Sequence, residues 1–175
     1  MSERWLTLAA ELGFEEAAVL DPAKLTPLAS VREMCAADKC HAFGRNWTCP
    51  PAVGTLEECG ARLAAYQKGL LLQTVGKLAS SFDAEGYQSI EKLHLERFAR
   101  FSRLLRETYP DALCLGAGGC RVCAQCAYPE PCRFPERALS SMEAYGLFVT
   151  QVCRDCGVPY YHGPETITYS ACVLY

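Results

Sequence analysis

The chain has 175 residues, of which 50% are hydrophobic and 21% charged, with a formal net charge of −3. That length suits one domain that buries about 70% of its extended surface, and this composition argues against intrinsic disorder and against phosphate-driven binding to nucleic acid. No apolar run approaches the ~20 residues of a membrane span, and Glu3, Arg4 and Glu11 interrupt the N-terminus where a secretory signal would be apolar. The sequence reads as a soluble, cytoplasmic protein with no membrane insertion.

Trp5, Leu8, Ala9 and Leu12 share one helical stripe over residues 3–12, and Gly13 stands where a left-handed residue would end that helix. Residues 17–20 read as a short strand ending at Asp21-Pro22, and 27–34 as a helical turn that delivers Cys35. Residues 35–53 have little periodicity and contain Gly44, Pro50 and Pro51, the signature of a loop that needs a ligand or metal to hold it. Thr55 and Glu58 have capping-box spacing for a helix to about residue 67, with Gly69 as its terminator. A strand follows over 70–75.

The longest helix is expected over 84–109, with Ile90, Leu93, Phe98, Phe101, Leu104 and Leu105 on its apolar face and Pro110 closing it. Arg97, Arg100, Arg103 and Arg106 are interspersed with glutamates there and read as a solvated face. Residues 112–115 form a brief buried strand. Ser140 and Glu143 repeat the capping-box spacing and predict a helix over roughly 141–154. The last strand places Ile167, Tyr169, Ala171 and Val173 on one face. The expected fold is a single α/β domain spanning 1–175, with three to four strands interleaved with helices and two cysteine-rich metal-binding loops.

Twelve cysteines are the unusual count: four lie between Cys35 and Cys59, eight between Cys114 and Cys172, and none in the stretch between. In a chain with no export signal and enough apolar residues for a core, such clusters point to metal rather than to disulfides. Cys120, Cys123 and Cys126 are separated by two-residue gaps, and Cys132 follows after five more residues. Such a loop can wrap one face of an iron–sulfur cubane, and the glycines from 116 to 119 let the backbone approach it. The run lacks the spacing of nucleotide-binding glycine motifs. Zinc is the alternative, because Cys120 and Cys123 could pair with Cys153 and Cys156, but this leaves Cys126 and Cys132 without a role.

Cys35, Cys40 and Cys49, the last followed by Pro50-Pro51, form the second constellation. Seven thiols are one short of two fully thiolate-bound cubanes. Cys59 is the nearest eighth candidate and His41 another, although a histidine beside a cysteine is more often a hydrogen-bond donor. An open iron with three protein ligands is the third possibility. Cys132 either serves the distant cluster, as the fourth cysteine does in ferredoxin runs, or closes on its own loop, and local closure is the expectation of the two. Cys114 and Cys172 read as packing residues in strands. Cys153 and Cys156, at a helix end before Gly157, are a redox dithiol, half a zinc site or two inert thiols.

The segments VREMCAADKCHAFGRNWTCPP and LGAGGCRVCAQCAYPEPCRFPERALSSMEAYG resemble an uncharacterised family of small cysteine-rich proteins described as predicted metal-binding proteins, a domain of unknown function common in anaerobic bacteria and archaea. The resemblance runs through most of the chain. It implies Cys35, Cys40, Cys49, Cys120, Cys123, Cys126 and Cys132 as the metal-binding set and brings no reaction with it.

Together these readings lead to an iron–sulfur protein with one or two 4Fe-4S clusters and an electron-transfer or redox accessory role, which would require a redox partner protein. Two other classes compete with it. One is a redox enzyme whose open-site cluster binds substrate, with Arg45, Asn46, Arg133 and Arg137 near the ligands to orient an anion. The other is a colourless, zinc-stabilised interaction module.

Overall fold

Trp5 and Ala9 are buried along one side of α1 (Ser2–Glu11), and Gly13 beyond it takes the left-handed conformation at φ 87°. The structure is a computed structural model and describes residues 2–175. In chain order α1 is followed by β1 (Glu16–Leu20), α2 (Ala29–Ala36), α3 (Leu56–Ala64), β2 (Gly69–Lys77) and α4 (Ala84–Thr108). Then come β3 (Leu113–Gly116), β4 (Ser140–Ser141), α5 (Val149–Asp155) and β5 (Thr166–Leu174). Thr55 caps α3 by accepting from the Glu58 N–H while the Glu58 carboxylate accepts from the Thr55 N–H, the expected capping box. The helix ends at Ala64 rather than near 67, and Gly69 opens β2 instead of closing α3.

The five strands form one mixed sheet in the order β1-β2-β5-β3-β4, in which only β3 and β4 run parallel. This is one strand more than the sequence predicts. The additional strand is β4, where Ser140 begins a pairing with Leu115 instead of a helix. A 3-10 turn (Glu143–Tyr145) follows it, Gly146 stops that turn at φ 79°, and of the helix expected over 141–154 only the second half forms, as α5 from Val149. A Cβ on Gly146 would stand 2.6 Å from Leu56 Cδ2 and 3.3 Å from the Leu28 nitrogen, so the turn is packed directly against α3 and the start of α2.

β5 lies in the middle of the sheet, and both of its faces are covered. Ala171 and Val173 join Trp5, Phe98, Phe101 and Leu105 in the core beneath α1 and α4. Cys172 and Leu174 face the opposite core, built by Leu63, Met142, Tyr145, Leu147, Val152 and Cys153. The apolar face expected on α4 is only partly realised, because Leu93 is exposed while His94 in the next position is buried. Arg97 pairs with Glu15 at 3.0 Å, and Arg106 donates to the carbonyls of Ala112 and Glu136. No helix among the described residues is long and apolar enough to cross a membrane.

His94 has a measurable consequence. Its Nδ1 lies 3.0 Å from Thr74 Oγ1, its ring stacks on Phe98, and Nε2 has no hydrogen-bond partner. Burial, reinforced by the Arg97 charge, pushes its pKa down to about 4. The folded imidazole is therefore neutral where an unfolded one, titrating near 6.5, takes up a proton. The contribution is complete above about pH 6.5 and is lost as pH falls towards 4, up to a loss of order 3 kcal/mol. The melting temperature of metal-free protein is expected to fall between pH 7 and 5, and His94→Leu to flatten that fall; an equally steep decline in the variant would contradict this.

Candidate metal centre

The parallel pairing of β3 with β4 places Gly116 opposite Ser141, so the chain leaves both strands from the same end. From β3 it enters residues 117–139, which contain neither helix nor strand. From β4 it enters the turn that carries Glu143. Two distant parts of the sequence thereby emerge side by side.

Cys120, Cys123, Cys126 and Cys132 all line one narrow pocket, about 20 Å³, with Asn46, Trp47 and Thr48 as its other wall. That wall is tied down by hydrogen bonds. Trp47 Nε1 donates to the Glu130 carbonyl at 2.8 Å, and its ring meets Tyr128 edge to face at 5.0 Å. The Cys120 N–H donates to Thr48 Oγ1 at 3.3 Å, while Asn46 Nδ2 donates to the Cys120 carbonyl at 3.4 Å. Cys132 is thus brought to the thiols of its own loop.

Cys35, Cys40 and Cys49 line a second pocket of about 200 Å³ with Gly118, Gly119 and Glu143. Cys35 is in the last turn of α2, and the loop that follows is pinned by local turns. The Asp38 carboxylate accepts from the Phe43 N–H and pairs with Arg45 at 2.9 Å, and Asn46 Oδ1 accepts from the Thr48 N–H. The two pockets adjoin through the chain, since Thr48 and Cys120 line the first while Cys49 and Gly119, next to them in sequence, line the second. A Cβ on Gly119 would lie 3.8 Å from Cys49 Sγ, and Gly118, at φ 69°, has open space where its Cβ would be. The glycines let backbone line the pocket where side chains would fill it.

Burial raises the Cys49 thiol to about 11, against the hydrogen bond from Thr48, with the neighbouring thiols of Cys40, Cys35 and Cys120 adding to the rise. Cys35 is raised by burial first, then by Cys40 and Glu143, and is opposed by the Arg32 guanidinium. Both are protonated at neutral pH without metal, so a metal that binds their thiolates must displace protons. Arg32 is the cation built into this side of the site, donating to the carbonyls of Gly54 at 2.7 Å and Ala144 at 2.9 Å.

Cys59 and His41 line neither pocket. Cys59 is buried in the core, where its thiol lies 3.9 Å from the Val53 carbonyl and accepts from Arg32; His41 is exposed at a left-handed position. Cys114 and Cys172 are buried in their strands. Cys153 accepts from Gln73 Nε2 at 3.3 Å, and burial pushes Cys156 up to about 11, so neither has the lowered pKa of a reactive dithiol. Of the four residues suggested for anion binding, Arg45 is held by Asp38, Asn46 by Thr48 and Cys120, Arg133 by the Gln125 carbonyl, and Arg137 lies over the Phe134 ring.

Sequence reasoning missed Arg32, Thr48 and Glu143 at the site. The first two lie within the quoted cysteine segment but carry no spacing signal, and Glu143 was assigned to a helix cap. Among the described residues no three Cys, His, Asp or Glu side chains converge closely enough to hold one metal ion. The donor chemistry nevertheless fits a thiolate-bound metal group, with four thiols around one pocket and three around its neighbour. Comparisons with curated proteins and with solved structures each returned no match. Residues 18–175 match the family described as predicted metal-binding protein (DUF2284), and the chain belongs to that family.

Proposed function

We propose that this protein holds two 4Fe-4S clusters and passes single electrons between redox partner proteins in a reducing cytoplasm. Cys120, Cys123, Cys126 and Cys132 would hold one cluster, and Cys35, Cys40 and Cys49 the other. The observation that carries this reading is the sorting of seven thiols into two adjoining pockets, four and three. A single zinc ion takes four donors about 2.3 Å from one centre, so it would use the thiols of one pocket and leave those of the other without a role. The narrower pocket must open to take a cluster, which would release the bonds of Thr48 and Asn46 to Cys120 and, in a loop free of helix and strand from 117 to 139, would break no pairing of the sheet.

A 4Fe-4S cluster supplies one-electron redox chemistry at a potential set by its surroundings. Residues of this chain supply those surroundings. Arg32 places positive charge beside Cys35, and Thr48 holds a hydrogen bond to Cys49 on one side and the Cys120 backbone on the other. Thr48 and Cys120 line one pocket and their chain neighbours Cys49 and Gly119 the other, so the two sites would be neighbours, the arrangement needed for an electron to enter at one and leave from the other. Arg133 and Arg137 are exposed around the four-thiol loop, where Arg121 is already paired with Glu91 at 2.8 Å, and the two would suit an acidic partner.

Stepwise reduction of anaerobically purified protein tests this reading. The brown colour is expected to bleach reversibly, and the reduced protein to give paramagnetic signals broadened by coupling between two neighbouring clusters. A single uncoupled signal would contradict the pair, and failure to reoxidise would contradict electron transfer.

A further inference from the structure

We propose that the Glu143 carboxylate is the fourth protein ligand of the group held by Cys35, Cys40 and Cys49, an inference that rests on the cluster reading above. Glu143 lines the same pocket as those three thiols. Its Oε2 is a buried oxygen with no hydrogen-bond partner, and Glu143 forms no ion pair among the described residues. A carboxylate oxygen buried without a donor or a cation is costly, and such a group persists where something binds it.

Its backbone is fixed from both sides. The Gly146 N–H donates to the Glu143 carbonyl at 2.8 Å, and Ser141 Oγ accepts from the Ala144 N–H at 3.0 Å. On the α2 side the Cys35 thiol lies 3.8 Å from the Glu143 carbonyl, and Arg32 bonds the next carbonyl, that of Ala144. The turn is therefore locked to the helix that carries the first thiol. The other candidates for an eighth ligand have other engagements or lie elsewhere: Cys59 is held in the core by Val53 and Arg32, and His41 is exposed.

Four thiolates on one side, and three thiolates with a carboxylate on the other, give two sites of equal ligand count without an eighth cysteine. They also make the sites unequal. Oxygen is a harder ligand than sulfur, so the iron it holds is the one most easily exchanged.

The test uses the full chain, reconstituted anaerobically, as wild type and as Glu143→Gln, Glu143→Ala and Glu143→Cys. Each is treated briefly with ferricyanide, then analysed for iron and acid-labile sulfide and examined by electron paramagnetic resonance. Ferricyanide takes one electron from a 4Fe-4S cluster, and an iron without a firm protein ligand then leaves as ferrous ion, so that a three-iron cluster with all its sulfide remains. Glu143→Gln and Glu143→Ala are expected to lose about one iron per chain and show the three-iron signal fastest, wild type to lose it more slowly, and Glu143→Cys to keep its iron. Glu143→Gln preserves shape and Glu143→Cys restores a ligand, which separates ligation from folding. Sulfide-containing wild type that loses iron as readily as Glu143→Gln, or a Glu143→Gln that keeps all of it, overturns the inference alone. Wild type without acid-labile sulfide overturns the cluster reading and the inference together.

Discussion

Replacing Cys132 by serine is expected to remove about half of the protein's iron, and only the half bound by its own loop. Cys132 lines the pocket of Cys120, Cys123 and Cys126 and takes no part in lining the pocket of Cys35, Cys40 and Cys49. The five-residue gap is long enough for this closure because the chain turns within it, with the Glu130 N–H donating to the Ala127 carbonyl at 2.8 Å. Trp47 then fixes that turn through the Glu130 carbonyl. Iron and sulfide analysis, with spectroscopy of the cluster that survives, measures the outcome. Survival of the four-thiol-loop cluster with loss of the other would show that Cys132 reaches across to the distant site.

A second large effect is expected at Cys49, at the junction of the pockets. Cys49→Ser should lose the cluster of the three-thiol pocket, again about half the iron, and should also lower the melting temperature. The metal's binding energy is folding energy for a segment that lacks its own core, and residues 37–55 contain no helix or strand. Cys114→Ala is the control. Its side chain is buried under α4, away from both pockets, so the variant should keep its full metal content and lose only about 1 kcal/mol of packing. Metal analysis and thermal melts of the two variants side by side check this. Equal metal loss from both would show that the ligand assignment is wrong.

The capping motifs show what the sequence could and could not reveal. Thr55 with Glu58, and Ser140 with Glu143, have the same spacing, but only the first opens a helix. A capping box is a local preference worth about 1 kcal/mol, and at Ser140 the tertiary structure overrides it. Leu115 and Gly116 offer a strand to pair with, and Gly146 ends the following turn against Leu56 and Leu28. The same misreading hid Glu143, whose carboxylate the sequence assigns to a backbone N–H and which the fold places in the lining of the three-thiol pocket. Gly69 was ambiguous for a related reason, because a glycine after a helix and a glycine opening a strand look alike. Here its Cβ would meet Val173 of the neighbouring strand at 2.9 Å, a closeness only the folded sheet reveals.

The two cysteine segments were legible because thiol spacing within a loop is local information. Their meeting was not. It depends on Gly116 and Ser141 facing each other in the sheet and on Thr48 and Trp47 reaching across 72 and 83 residues of sequence to Cys120 and Glu130. The long terminal strand was plain from its alternation, since Ala171 and Val173 share one core while Cys172 and Leu174 share the other. Neither core marks Cys59 as different from a ligand in sequence; only its burial away from the pockets does.

The most direct test of the account is the metal carried by native protein, purified without oxygen and without added metal, and analysed for iron, acid-labile sulfide and zinc. Two cubanes predict about eight irons and about eight sulfides per chain, with no stoichiometric zinc. Stoichiometric zinc with no acid-labile sulfide would contradict it.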